Sequence, residues 1–422
     1  MEAPEWLGMP PGTCFRIVKA LYGLPDSGML FELFVENILF KLDFFRISPG
    51  VYKRINYKTG HIDLIGTYVD DFILSSHNLQ KLQQELVDAG LKFGKMAFLN
   101  DREPIDFNGL TIQLHTREDG TSYITEEMDA YWQRLIDKYK NMIGIKGPSR
   151  RVSSPGVKIP DEWHDQRSEM IDQSRQKYTK QGDLSYDPHS ISASILYGAR
   201  ANRPDLAFAA NLLSRSITVW SKASDSHLHR IMEYIETTSA FKMHYEIFEV
   251  PQPSEIGKCF IQTFTDADLG GEAFLSTKST GGYITQMVGY GAQWVLDWSS
   301  KSQPCTATGT PFSEMHAIQR ALQQSSLPLS GLYEELTSFL CPVVHLCDNS
   351  PVIQVVETGY SSALRYLNRM SRLNIGFMHE FFSSEFNQLH FIRSGENIAD
   401  ILTKFLHGPQ HAYLLLALGL HP

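Results

Sequence analysis

The stretch CFIQTFTDAD, residues 259–268, opens as an apolar and β-branched run and closes on two acids, Asp266 and Asp268. Cys259 to Phe264 reads as a strand that delivers Thr265, Asp266, Ala267 and Asp268 to its carboxyl end. Downstream, Gly281 to Val288 and Ala292 to Leu296 read as two further strands joined by a Gly289-Tyr290-Gly291 turn. Ser313 to Gln324 has helical spacing with Glu314 near its start, and Val343 to Cys347 is a short buried strand that ends at Asp348. Leu364 to Phe382 reads as a helix, Leu389 to Ile392 as a strand, and Ile398 to Phe405 as the opening of a final helix that carries Asp400. This alternation over 257–408 predicts a mixed sheet flanked by helices.

Asp266 and Asp348 stand at predicted strand ends, and Glu314 and Asp400 near predicted helix starts. Such positions can converge on one edge of a mixed sheet. Four carboxylates brought together do not all stay charged without divalent cations. Two magnesium ions (or manganese) held by such a cluster would serve phosphodiester hydrolysis, one activating the attacking water and the other stabilising the leaving oxygen. Taken singly, each residue has a plainer reading, since Asp348 could cap a turn and Asp400 could be an ordinary helix acid. Spacing alone leaves both readings open.

Upstream, Ile62 to Thr67 reads as a partly buried strand, and Phe72 to Leu74 restarts one after a tight break at Asp70 and Asp71. Adjacent carboxylates between apolar strands repel unless a cation neutralises them, although an exposed acidic turn has the same sequence. Leu79, Leu82, Leu86 and Val87 then share one face of a helix that packs in a core. Residues 131–190 are polar, with Gly147, Pro148, Pro155 and Pro160, and read as a linker, whereas 191–250 look helical. The expected division is therefore 1–130, 131–250 and 251–410.

A chain of 422 residues exceeds one ordinary core. Its 42% hydrophobic content suffices for folding, but a formal charge of −9 is opposite in sign to what phosphate binding favours. Two acidic metal sites would account for several of those charges, and Lys138, Lys140, Lys146, Arg150 and Arg151 form one basic cluster. Cys14, Cys259, Cys305, Cys341 and Cys347 contain no CxxC pair and are odd in number, which fits a reducing, intracellular setting, with a cytoplasmic particle or the nucleus left open. No stretch approaches the apolar length of a membrane span, and no secretory leader is legible.

Several motifs carry a family resemblance. Thr265-Asp266-Ala267-Asp268 followed by Lys278-Ser279-Thr280-Gly281-Gly282-Tyr283 resembles the start of the ribonuclease H domain of copia-type retrotransposon Pol polyproteins. Trp298 to Pro304 resembles that family's hairpin, with Ser302 in place of a lysine, and Ser313-Glu314-Met315-His316-Ala317 sits where the family has its helix glutamate. Cys347-Asp348-Asn349 and Asn397 to Lys404 resemble its two remaining acidic motifs. The resemblance implies that Asp266, Glu314, Asp348 and Asp400 ligate metal, with Asp268 a neighbour. Ala20 to Leu24 is similar to the family's reverse transcriptase "LYGL" motif and Tyr68-Val69-Asp70-Asp71 to its "YVDD" signature, which makes Asp70 and Asp71 a magnesium-holding pair at a primer end. Phe107 to Ile112 resembles the strand after the palm helix, and Arg203 to Phe208 the helical connection before ribonuclease H. The implied fold is mixed α/β: a partial polymerase palm, a helical connection and a ribonuclease H-like domain.

Departures sharpen the expectation. Met1 to Pro4 resembles the end of a "YMxxP" stretch, which puts the third polymerase carboxylate upstream of residue 1, so this polypeptide alone is not expected to polymerise DNA. Pro25-Asp26-Ser27-Gly28 and Leu269 are variants, and the Gly309 and Pro311 entry weakens the placement of Glu314. The expected activity is two-metal hydrolysis of RNA in RNA–DNA hybrids, with primer-template nucleic acid and the rest of a Pol polyprotein as further partners and no membrane. The competing expectation is a mobile-element remnant that at most binds nucleic acid.

Overall fold

In the computed structural model, the residues described are 10, 24–94, 96–156, 188–247, 258–270, 278–289, 291–361 and 373–422. The motifs at Met1 to Pro4 and Ala20 to Gly23, most of the expected linker, Tyr290, and residues 364–372 of the predicted helix lie outside them. The chain divides into two compact units, residues 1–98 and 99–422.

The first unit is built from α1 (Ser27–Lys41), a four-stranded antiparallel sheet in the order β1 (Phe45–Ser48), β2 (Val51–Ile55), β3 (Ile62–Tyr68), β4 (Asp71–Ser75), and α2 (Leu79–Asp88). Its core joins Val35, Ile38 and Leu39 of α1 to Tyr52, Ile65, Leu82 and Leu86. Asn78 caps α2 by accepting from the Lys81 amide at 3.0 Å. Val87, expected in that core, is exposed, because it stands about 100° around the helix from Leu86. Tyr68 pairs with Asp71, so Val69 and Asp70 form a two-residue turn, with Val69 at φ 55°, a costly conformation for a β-branched residue.

The second unit holds two five-stranded sheets. One is antiparallel, in the order β14 (Leu420–His421), β8 (Lys242–Ile247), β7 (Ser122–Glu127), β6 (Leu110–Thr116), β5 (Ile105–Phe107). Beside it lie α3 (Asp129–Ile143), α4 (Pro188–Ala201), α5 (Ala207–Arg215) and α6 (Lys222–Thr237). The segment expected to begin a linker is thus a helix. Trp132, Leu135, Ile136 and Tyr139 recur at i, i+3, i+4 and i+7 and bury one face, and Gly144 in the left-handed region ends it. Of the basic cluster, Lys140 is committed to Glu236 at 2.5 Å and Lys138 bonds Ser190. The region expected to be helical to 250 includes β8, whose partner β7 comes from far upstream. Inside the helices, Arg203 pairs with Asp205 at 2.7 Å, and the Tyr234 hydroxyl donates to the same carboxylate at 2.8 Å.

The second sheet runs β11 (Ala292–Ser302), β10 (Thr280–Gly289), β9 (Phe260–Ala267), β12 (Val343–Cys347), β13 (Gln388–Phe391). Strand β10 is antiparallel to both β11 and β9, while β12 is parallel to both β9 and β13. The central strand β9 is covered on both sides: Phe264 packs with Ile284, Trp298 and Leu402, and Ile261 with Met315, Val343 and Val352. Such burial fits a strand with apolar side chains on both faces. Around the sheet stand α7 (Thr310–Ala321), α8 (Leu327–Thr337), α9 (Ser350–Thr358), α10 (Ile375–Phe382) and α11 (Gly408–Ala417). The final helix predicted from Ile398 is instead a 3₁₀ segment over Ile398–Leu402, with α11 starting only at Gly408.

Candidate metal centre

The site forms where β9 and β12 run out at the same sheet edge. Their parallel register, Leu346 opposite Phe264, brings Asp266 near the end of β9 and Asp348 just past β12 to one level. Asn349 follows Asp348 and caps α9, accepting from the Val352 amide at 3.3 Å, so the strand stops here and turns into a helix.

Glu314 arrives from the side. Gly309 is the residue before α7 and Pro311 lies in its first turn, where a missing N–H costs nothing. The Gly and Pro that made the placement of Glu314 doubtful are therefore start signals, and Glu314 follows one turn into the helix, 3% exposed.

Asp400 is held by its own short segment. Asn397 accepts from the Ala399 amide at 3.2 Å and donates to the Thr265 carbonyl at 2.9 Å, tying the 3₁₀ turn to β9. The same turn presses on β10 at Gly282, the partner of Asp266 in the strand register, where a Cβ would lie 2.6 Å from that of Leu402. Glycine is needed there for close approach.

The outcome is a buried acidic cluster. One oxygen each from Asp266, Asp348 and Asp400 lie within 4.8 Å of one another, and a second group within the same limit joins Glu314, Asp348 and the thiol of Cys347. Thr403 donates its hydroxyl to Asp266, and the Lys404 ammonium reaches Asp266 at 3.2 Å and Asp400 at 2.9 Å. Asp268 points elsewhere, accepting from the Thr280 amide at the end of the β9–β10 ladder.

The electrostatics follow from the burial. Desolvation, then the charges of Asp266 and Asp348, push the Glu314 carboxyl up to about 9. Desolvation raises Asp266 as well, against the pull of Lys404. Asp400 is raised to about 6 by burial and then by Asp266. Lys404 is raised in turn: burial opposes its charge, and the two aspartates outweigh that. One Glu314 oxygen, Oε2, is buried with no hydrogen-bond partner. A cluster that is short of positive charge, with an orphaned carboxylate oxygen, has the donor set that hard divalent cations take.

Asp70 and Asp71 are placed differently. Both are exposed at the β3–β4 turn of the first unit. Among the described residues they belong to no group of three potential metal ligands. Sequence reasoning assigned no role to Thr403, Lys404 or Cys347. The signal for Lys404 was its position four residues after Asp400, where an i,i+4 pair can form.

No protein-family model matches the chain. It is 23% identical over 434 aligned positions to the retrovirus-related Pol polyprotein from transposon TNT 1-94 of Nicotiana tabacum, covering all of this chain and 29% of that protein. A transposon Ty5-1 protein of Saccharomyces cerevisiae is 23% identical over 71% of this chain and 88% of its own length. Among solved structures, LC11-RNase H1, isolated from compost, is similar at 17% identity and a TM-score of 0.25, over 34% of this chain and 91% of its own. The chain thus spans less than a third of the tobacco polyprotein's length. Among the described residues no helix is long and apolar enough to cross a membrane. From end to end, the chain is similar to a retrovirus-related Pol polyprotein of a transposon.

Proposed function

We propose that the second unit is a ribonuclease of the H type from a copia-type element, hydrolysing the RNA strand of an RNA–DNA hybrid with magnesium or manganese. The observation that carries this reading is the meeting of Asp266, Glu314, Asp348 and Asp400 from four separate segments in one buried cluster. Divalent cations bound there would activate the attacking water and stabilise the leaving oxygen.

The protein's own part is positioning and charge. Asp266 and Asp348 stand on the rigid ends of neighbouring strands, so their separation is fixed before any ligand arrives. Thr403 donates to Oδ2 of Asp266, and Oδ1 accepts from Lys404 at 3.2 Å. Glu314 is raised enough to be protonated at neutral pH and gives up that proton when positive charge enters. Lys404 neutralises Asp266 and Asp400 in the meantime and has a side chain 39% exposed, which lets it swing aside towards solvent or a phosphate. Recognition of the hybrid would run through backbone and sugar contacts, the 2′-hydroxyl marking the RNA strand. Asp70 and Asp71 are read as a polymerase magnesium pair, and the expected partners of the longer relatives, primer-template nucleic acid and the remainder of a Pol polyprotein, belong to the same proposal.

One observation favours the second reading, a folded remnant without catalysis: Lys404 already sits across two of the aspartates. A labelled RNA–DNA hybrid with magnesium separates the two. Under the nuclease reading the purified chain cuts the RNA strand, and Asp266→Asn lowers the rate by about 100- to 1,000-fold, the scale of losing one charge-stabilising group. Equal, background-level cleavage by both proteins leaves only the remnant.

A further inference from the structure

We propose that Glu314, Cys347 and Asp348 form a thiolate-containing subsite for a borderline or soft divalent cation, zinc or cadmium, beside the all-oxygen group of Asp266, Asp348 and Asp400. The ligand atoms of the first three residues lie within 4.8 Å of one another. One feature beyond this clustering points to an ion there: Glu314 is 3% exposed, and its Oε2 has no hydrogen-bond partner. Cys347 is fully buried at the end of β12, and the Asn349 amide donates to its sulfur at 3.4 Å.

Chemistry then separates the two groups. Three aspartate oxygens suit magnesium or manganese, whereas a thiolate selects zinc or cadmium. Asp348 belongs to both groups, so a thiophilic ion competes with the hard ions for one carboxylate. A thiol that coordinates a dication loses its proton outright. Binding therefore releases the Cys347 proton to solvent, forms metal–sulfur and metal–oxygen bonds, and oxidises nothing. The consequence, inhibition of hybrid cleavage, rests on the nuclease reading; ion binding itself does not.

The probe is cadmium, titrated into the full chain in a non-chelating buffer with a phosphine reductant. The readout is the ultraviolet sulfur-to-cadmium charge-transfer absorption. Three proteins are compared: the wild type, C347S, and a variant in which Cys14, Cys259, Cys305 and Cys341 are all replaced by serine. The proposal requires one saturable band in the wild type and in the protein whose only cysteine is Cys347. In C347S it requires loss of the band and an affinity at least about tenfold weaker, since even outer-shell partners cost that much. A band unchanged in C347S, or absent when Cys347 is the only cysteine, overturns it, and the latter does so whether or not C347S folds. The band without hybrid cleavage removes the nuclease alone; cleavage without the band removes the subsite alone.

Discussion

Replacing Glu314 with glutamine should make the metal-free chain less stable at pH 5 and more stable at pH 8. In the folded state the carboxyl is raised from 4.5 to about 9 by burial and by Asp266 and Asp348. Between those two values folding takes up a proton that the unfolded chain does not hold. Stability from this group is fully present below pH 4.5 and is lost as pH rises towards 9. At about 1.4 kcal/mol per pH unit, the upper limit of the loss is about 6 kcal/mol at pH 9 and about 5 kcal/mol at pH 8. Glutamine does not titrate, but burying its amide costs about 1–3 kcal/mol. The net gain at pH 8 is therefore at most about 2–4 kcal/mol, at most roughly 4–8 °C in melting temperature, while at pH 5 the amide cost wins. The assay is thermal melting in EDTA from pH 5 to 9, followed by tryptophan fluorescence, because five of the six tryptophans, Trp132, Trp163, Trp220, Trp294 and Trp298, fall within residues 99–422. Magnesium should restore the wild type and help the variant less. Parallel stability curves for the two proteins across this range would show that Glu314 carries no such burden.

Two further outcomes are expected beside the Asp266→Asn and cadmium experiments. K404Q removes the ammonium that bridges Asp266 and Asp400, so the magnesium concentration giving half-maximal cleavage should fall, while the metal-free chain loses about 1 kcal/mol because Lys404 is partly exposed; an unchanged magnesium titration would count against competition. Asp70 and Asp71 have no third carboxylate beside them among the described residues, so template-dependent primer extension by the purified chain should be at background. Extension lost in Asp70→Asn would overturn that.

The candidate centre was more legible than the architecture around it, and the reasons are physical. Asp266 and Asp348 close apolar runs, and a strand that stops on an acid shows up in one dimension. Glu314 was visible but clouded, because Gly309 and Pro311 signal equally a loop and a helix start. Asp400 was found, although its helix was not: the 3₁₀ turn is held by Asn397 bonding to β9, a contact across 132 residues that no local pattern announces. The start of the 131–190 region was read as linker because the Pro, Gly and charge that follow outweighed the helical spacing of Trp132, Leu135, Ile136 and Tyr139. Lys404 and Thr403 sat in a recognised motif, yet their role depends on facing Asp266.

The two-residue strand β14 lies far from the acidic cluster in sequence logic, but it dictates an order of events. Leu420 is fully buried opposite Met243, and the His421 ring stacks on His244 with centroids 3.8 Å apart. The sheet that starts at Ile105 therefore waits for residues made more than three hundred positions later. On the ribosome, β8 keeps a bare edge through most of the synthesis of the second unit. A nascent chain stalled before residue 420 would present that edge to any extended peptide nearby.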